Sequence, residues 1–446
     1  MSTSLSESQA TVLRTIFSSA PDTAITNLEC ALAGEVERGG AMASVHALIS
    51  AEANGRRLRG LVFHPMAPLC RGNDGAGPRF PPQTLSRLWN ALRATCPEGV
   101  RAAEAIGPIE VEEDRIYAAE VCDSLCRFAA HGVRTGEGPF ESAKALLDGA
   151  APGGSETFAK FLDLAHLARA ALAKMPNWMG RLTEERAVEI RLAYNDAVDV
   201  AEDAGPRLLD MLGAHMAEPW RVLHLICAVM DRPTDRFAAS SEIARFGEAI
   251  MDDIDRRLNL FRSFEPDGGK AVGLAAADNI RIASLEISEF ETSMDLSRDG
   301  VWGMRIGKQK LTLAQLAETR LAKIDKALDA ALPVQLVKFG KGLRGFPNLN
   351  DDPQPLQMRR AECLLTFFEQ SRAAANQAGY GSARTKAGER LDARLEQYVE
   401  DLLEMLRADE VKNIERVRAY LDAAATLIGV ARGDKAAQIV RRRAAA

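Results

Sequence analysis

Aromatic side chains are scarce in this chain, at 6% of its residues. A core of any size must therefore be filled mostly by Ala, Leu, Ile and Val, and the first two are strong helix formers with little side-chain entropy to lose. Cysteine is sparse as well. Cys30, Cys70, Cys96, Cys122, Cys126, Cys227 and Cys363 are too scattered for a disulfide framework, and an odd count of seven suits reduced, buried thiols in a cytoplasmic protein. Long apolar runs are missing. The densest, Val222 to Met230, is bounded by Arg221 and Asp231 and falls well short of the roughly 20 residues that cross a bilayer, so no membrane span is expected. The opening MSTSLSESQATVL has neither the basic nor the apolar region of a signal peptide. Lysine is outnumbered by arginine, 13 to 43; with abundant alanine, this is the usage expected of a GC-rich bacterial genome. The net charge of −6 supplies no basic surface, so nucleic acid is not an expected partner.

What the chain has is length and helical periodicity. Its 446 residues suffice for about two to four domains and for a core that needs no disulfide or metal. Gly- and Pro-rich breakers divide it. They suggest an N-terminal helical domain over 1–148 with a loop at 65–82, a middle helical unit over 156–264, and a C-terminal helical bundle over 274–446 with loops at 340–355 and 376–388. Between breakers, apolar residues recur at spacings of three and four. Ser4 with Glu7, and Ser6 with Gln9, fit a capping box that opens the first helix. Ile250, Ile254, Leu258 and Phe261 line one face of another, with Asp252 and Asp253 each four residues before an arginine, Arg256 and Arg257. Three later runs have an a/d-like seam: Ala317, Leu321, Ile324, Leu328 and Ala331; then Leu391, Leu395, Tyr398, Leu402 and Met405; then Ile414, Val417, Leu421 and Ile428. Each is about two heptads long, which suits packing inside a bundle better than a free coiled coil. Only Leu58–Phe63 and Val334–Phe339 read as strand candidates, and each fits a helix end or connector equally well. The expected fold is all-α: a multi-helix bundle or an irregular helical array, compact or elongated, with little or no β-sheet.

Motifs that carry chemistry are few. Asp199 and Asp203, in a D-x-x-E-D run, sit one turn apart, and Asp252 and Asp253 open a second acidic cluster. Carboxylates so spaced project from one helix face, and two such faces can hold Mg²⁺ against a diphosphate. In outline this resembles the paired acidic runs of helical isoprenoid synthases. The resemblance covers those short runs alone and departs at Arg256, which stands where a repeated acidic pattern would place a carboxylate. Under it, Asp199, Asp203, Asp252 and Asp253 would be metal ligands; otherwise they are solvated, ion-paired helix faces, and no cofactor is implied. Gly340 to Gly345 matches G-x-G-x-x-G, but the following Phe346-Pro347-Asn348 cannot open the helix that a dinucleotide site needs, so the motif reads as a loop whose cations, Lys338, Lys341 and Arg344, could meet an anion. Cys122 and Cys126 with His131 lack the second ligand pair of a zinc site. The six histidines form no metalloprotease motif.

The reading that follows is a non-catalytic scaffold, adaptor or regulator acting through protein–protein contacts. The expected surface is the C-terminal seams, with Leu321, Ile324, Leu328, Leu395 and Leu402 as candidate interaction residues, a protein partner or a second copy of the chain completing one of them. A Mg²⁺-dependent enzyme acting on a diphosphate and a helical small-molecule-sensing regulator are the alternatives.

Overall fold

In the computed structural model, the described residues are 5–33, 41–71, 77–107, 111–230, 233–339, 342–407 and 413–445. Apart from one two-stranded hairpin and an isolated bridge between Thr234 and Asp295, their regular structure is helical, so the protein is an all-α helical array. Among the described residues no helix is long and apolar enough to cross a membrane. The chain divides into two compact units, Met1–Asp231 and Arg232–Ala446.

The first unit begins as expected. Ser6 accepts a hydrogen bond from the Gln9 amide, and the Gln9 side chain accepts one from the Ser6 amide, a complete capping box for the helix Glu7–Ser19. Ser4 lies outside the described residues. This helix packs with Asp22–Ala33 and Ala41–Val62 around Phe17, Ile25 and Ile49. Arg56 joins them: its guanidinium donates to the Phe17 and Ala20 carbonyls and to Asp22. Of the strand candidate Leu58–Phe63, Leu58 to Val62 is instead the end of the helix Ala41–Val62, and Phe63 follows it as a turn. Its terminal carbonyls, Leu61 and Val62, accept hydrogen bonds from Arg169 at 3.1 and 2.8 Å, which satisfies groups the helix end leaves orphaned. The stretch after Pro65 is a short 3-10 helix, His64–Cys70. Gly205 marks a close approach, because a Cβ there would fall 2.4 Å from the Tyr194 ring; any larger residue would force the helices Glu184–Val200 and Ala204–Ala214 apart.

The second unit is built of longer helices. Ala244–Ser263 and Lys270–Ser293 pack side by side, and Val301–Leu321 lies against both. Ile250, Ile254, Leu258 and Phe261 are buried, as their spacing required. Gly247 lets the helices meet, since a Cβ there would sit 2.4 Å from the Trp302 indole, which packs edge-on against Phe290. Lys323–Ala331, Pro355–Gln370, Gly381–Arg407, Ile414–Arg432 and Asp434–Ala445 complete the unit. The polar 376–388 segment is not a loop throughout: the 27-residue helix starts at Gly381. Burial of its face explains this, since Ala387, Leu391 and Leu395 are all in the core.

Val334–Phe339 is a true strand, β1. It pairs antiparallel with Gly342–Pro347, β2, in a register that sets Val334 opposite Pro347 and Phe339 opposite Gly342. Gly340 and Lys341 lie outside the described residues. Gly342, Leu343, Arg344 and Gly345 belong to β2, so the glycine motif is part of a hairpin and has no helix N-terminus behind it.

Candidate functional site

The four candidate metal ligands are already engaged or lie open. Asp199 is exposed near the end of Glu184–Val200. Asp203 is held by the Arg207 guanidinium and by Lys160 Nζ at 3.3 Å; the hydrogen bond from Arg207 is the main reason its carboxyl titrates down near about 2. Asp252 meets Arg305, which also binds Asp255 at 2.7 Å. Asp253 takes both Arg256 and Arg257, the latter at 2.6 Å. The expected Asp252–Arg256 pair is therefore replaced. Arg256 turns back three residues instead of four, and Asp252 is met from the neighbouring helix. Asp199 and Asp203 belong to the first unit, Asp252 and Asp253 to the second. Among the described residues no three His, Cys, Asp or Glu side chains converge on a point where an ion could sit.

Behind Asp253 is a carboxyl that the sequence reading did not single out. Glu286, on Lys270–Ser293, is 3% exposed. Burial foremost, then the charge of Asp253 and a hydrogen bond to it, pushes its pKa up to about 9. Burial also pushes Asp253 upward, but hydrogen bonds from Arg256, Glu286 and Arg257 outweigh it and hold its carboxyl low. Glu286 thus keeps its proton at neutral pH and shares it with Asp253. A signal was there to be read: Glu286 interrupts the apolar run of Ile280, Ala283, Ile287 and Phe290, all buried. In the first unit, His64 and His215 stack at 4.7 Å between ring centroids. Burial above all lowers both, His215 to about 4, so the two imidazoles are neutral at physiological pH.

Five of the seven thiols are buried in the folded chain. Burial raises Cys70 and Cys126 to about 12 and Cys363 to about 11. Cys126 donates to the Val62 carbonyl at 3.4 Å, and His131 is exposed. Since the thiolate is the reactive form, titration of the native protein with Ellman's reagent should return exposed Cys30 quickly and half-buried Cys96 more slowly. The remaining five should react only after denaturation. A native protein in which all the thiols react at one rate would contradict this burial pattern.

The five candidate interaction residues, Leu321, Ile324, Leu328, Leu395 and Leu402, are between 0 and 2% exposed. Within the second unit the seams are covered by one another and by the helices beside them, except at exposed Ile414 and half-buried Met405. A partner could reach these side chains only by opening that core.

An exposed apolar stripe lies on the outer side of Val301–Leu321. Its inner face is the expected one: Trp302, Ile306, Gln309, Leu313 and Ala317 are buried. Yet Val301, Met304 and Leu311, on the opposite side, are 71%, 56% and 59% exposed. With Lys308 between them, the spacing of three, four and three residues places all four on a single stripe about 15 Å long at 1.5 Å per residue. The short helix Asp235–Ala239 packs on Val301–Leu321 and adds exposed Phe237. Asp235 is buried against Gly300 and Gly303, where it receives the Gly303 amide at 3.4 Å, so the two helices hold a fixed relation. A helix that shows apolar residues on both sides has one face for the fold and one left over.

No protein-family model, curated protein or solved structure matches the chain.

Proposed function

We propose that this chain is a non-catalytic adaptor or regulator that binds a protein partner through the outer face of the Val301–Leu321 helix. The observation that supports this reading is the stripe of Val301, Met304 and Leu311, exposed on a helix whose opposite face already fills the core. Scattered exposed apolar residues are ordinary on any protein. Three aligned on one helix, with exposed Phe237 on a short helix that packs against it, are the kind of apolar surface that can mark an interface. Methionine suits such a role, since its flexible thioether adapts to a partner's shape. Lys308 in the middle of the stripe favours a partner with a carboxylate facing it.

The test replaces exposed side chains, so the fold is spared. In the full chain, Met304→Glu with Leu311→Glu should leave the far-UV circular dichroism spectrum unchanged and shift stability by no more than about 0.5 kcal/mol per site. Quantitative affinity capture from the source lysate, wild type beside variant, should show a stoichiometric partner lost from the variant; light scattering should show a smaller species if that partner is a second copy. Identical captured proteins and identical mass in both would end the proposal.

A further inference from the structure

We propose that the cleft between the β1–β2 hairpin and the Gly381–Arg407 helix is a binding site for a small molecule bearing an oxyanion, a carboxylate or a phosphate group. The inference rests on a different surface from the adaptor reading and does not depend on it.

The cleft encloses about 330 Å³, within the range of small-molecule sites. One wall is a single helix face: Arg394, Gln397, Tyr398 and Asp401 follow at steps of three, one and three, the spacing that brings side chains together on a helix. The other wall is the hairpin, which contributes Arg344 from β2. Asp401, only 4% exposed, accepts hydrogen bonds from Arg344 Nη2 at 3.0 Å and from Gln397 Nε2 at 2.8 Å. Arg394 is held at its tip by Asp329.

Two groups in this cleft are unfinished. Tyr398 is 3% exposed, and its hydroxyl has no hydrogen-bond partner among the described residues; the same is true of the shielded Nε of Arg394. Buried polar groups are normally paired, so each asks for a complement. Arginine Nε–H can only donate, and a phenol held in its protonated form donates readily. Burial raises the Tyr398 pKa well above its ordinary value and keeps the O–H in place. What is missing is therefore an acceptor. Arg344 and Arg394 are already balanced by Asp401 and Asp329, so the unmet donors, not a surplus charge, select the ligand. A carboxylate or phosphate meets that demand, because its oxygens accept from a phenol O–H and from a guanidinium N–H alike. The Arg344–Asp401 contact also couples the site to the hairpin. A ligand that draws Arg344 away from Asp401 loosens the one ion pair seen between β2 and this helix among the described residues.

Isothermal titration calorimetry on the full chain tests this with sodium phosphate and sodium succinate, against sodium chloride at equal ionic strength. At least one of the two oxyanions should bind saturably and raise the melting temperature where chloride does not; phosphate alone, succinate alone or both would each identify the group the cleft accepts. Tyr398→Phe should melt at or above the wild-type temperature, because it removes an unpaired hydroxyl, and should still bind about tenfold more weakly, as expected when a hydrogen bond to a charged group is lost. Arg394→Gln should abolish binding. If it fails to fold, Tyr398→Phe decides alone. Chloride-like behaviour of both oxyanions, or wild-type affinity in Tyr398→Phe, would overturn the proposal.

Discussion

Leu402→Ala should destabilise the protein by about 2–5 kcal/mol, the range for removing a fully buried leucine side chain and leaving a cavity behind. Leu402 is 0% exposed on a helix that packs against Ile414–Arg432, Val301–Leu321 and Lys323–Ala331. A side chain with no exposed surface leaves a void closed to water when it is removed, which places the expected value in the upper part of the range. Leu402→Asp goes further, since it adds an unpaired buried charge, and should unfold the second unit. Leu311→Ala, at a residue 59% exposed, is the internal control and should stay within about 0.5 kcal/mol of wild type. Urea unfolding followed by circular dichroism compares the three. A Leu402→Ala protein as stable as Leu311→Ala would mean that the second seam is not core.

Glu286→Gln should stabilise the protein, and only above acidic pH. In the folded chain Glu286 keeps its proton up to about pH 9, against an ordinary value of 4.5. The unfolded chain releases that proton near 4.5, so between the two values unfolding sets a proton free. The contribution of Glu286 is fully present below about pH 4.5, declines as pH rises, and is lost once the folded carboxyl itself ionises. Glutamine keeps a donor for Asp253 and cannot titrate. At pH 5 the variant and wild type should nearly coincide. At pH 8 the variant should be ahead by more than about 1.4 kcal/mol, the equivalent of a single pKa unit. Thermal melts at both pH values measure the difference, and a gap that does not change with pH would show that Glu286 titrates as an ordinary surface carboxyl.

The helices were legible because period and burial agree. Ile250, Ile254, Leu258 and Phe261 lie where a 3.6-residue repeat puts them. The later seams were equally legible as apolar faces, but a periodic pattern says which side of a helix avoids water and nothing about what covers it; Leu395 and Leu402 turned out to be covered from within. Long-range pairings were invisible for a related reason. Asp252 finds Arg305, 53 residues away, and no local spacing encodes that choice against Arg256. Tyr398 fitted an a/d position and so read as plain core. Its hydroxyl, and the Arg344 that faces the same cleft, become informative only once the hairpin is folded beside the helix. The β1–β2 hairpin was half legible: Val334–Phe339 read as a strand candidate, but Gly342 and Gly345 drew attention as part of a nucleotide motif when they belong to the partner strand.

That hairpin has one further consequence. A sheet of two strands has no interior strand, so each member carries an unpaired row of N–H and C=O groups along its outer side. Such rows template the addition of another chain and are a common route to aggregation. Leu336 on β1, 70% exposed, is the sort of residue that would favour it. The protective features are also present: both strands are six residues long, Lys338 and Arg344 bring like charge to any approaching copy, and Pro347 removes a donor at the end of β2. Lys338, Arg344 and Pro347 therefore bear on how the chain behaves in a crowded solution of its own copies.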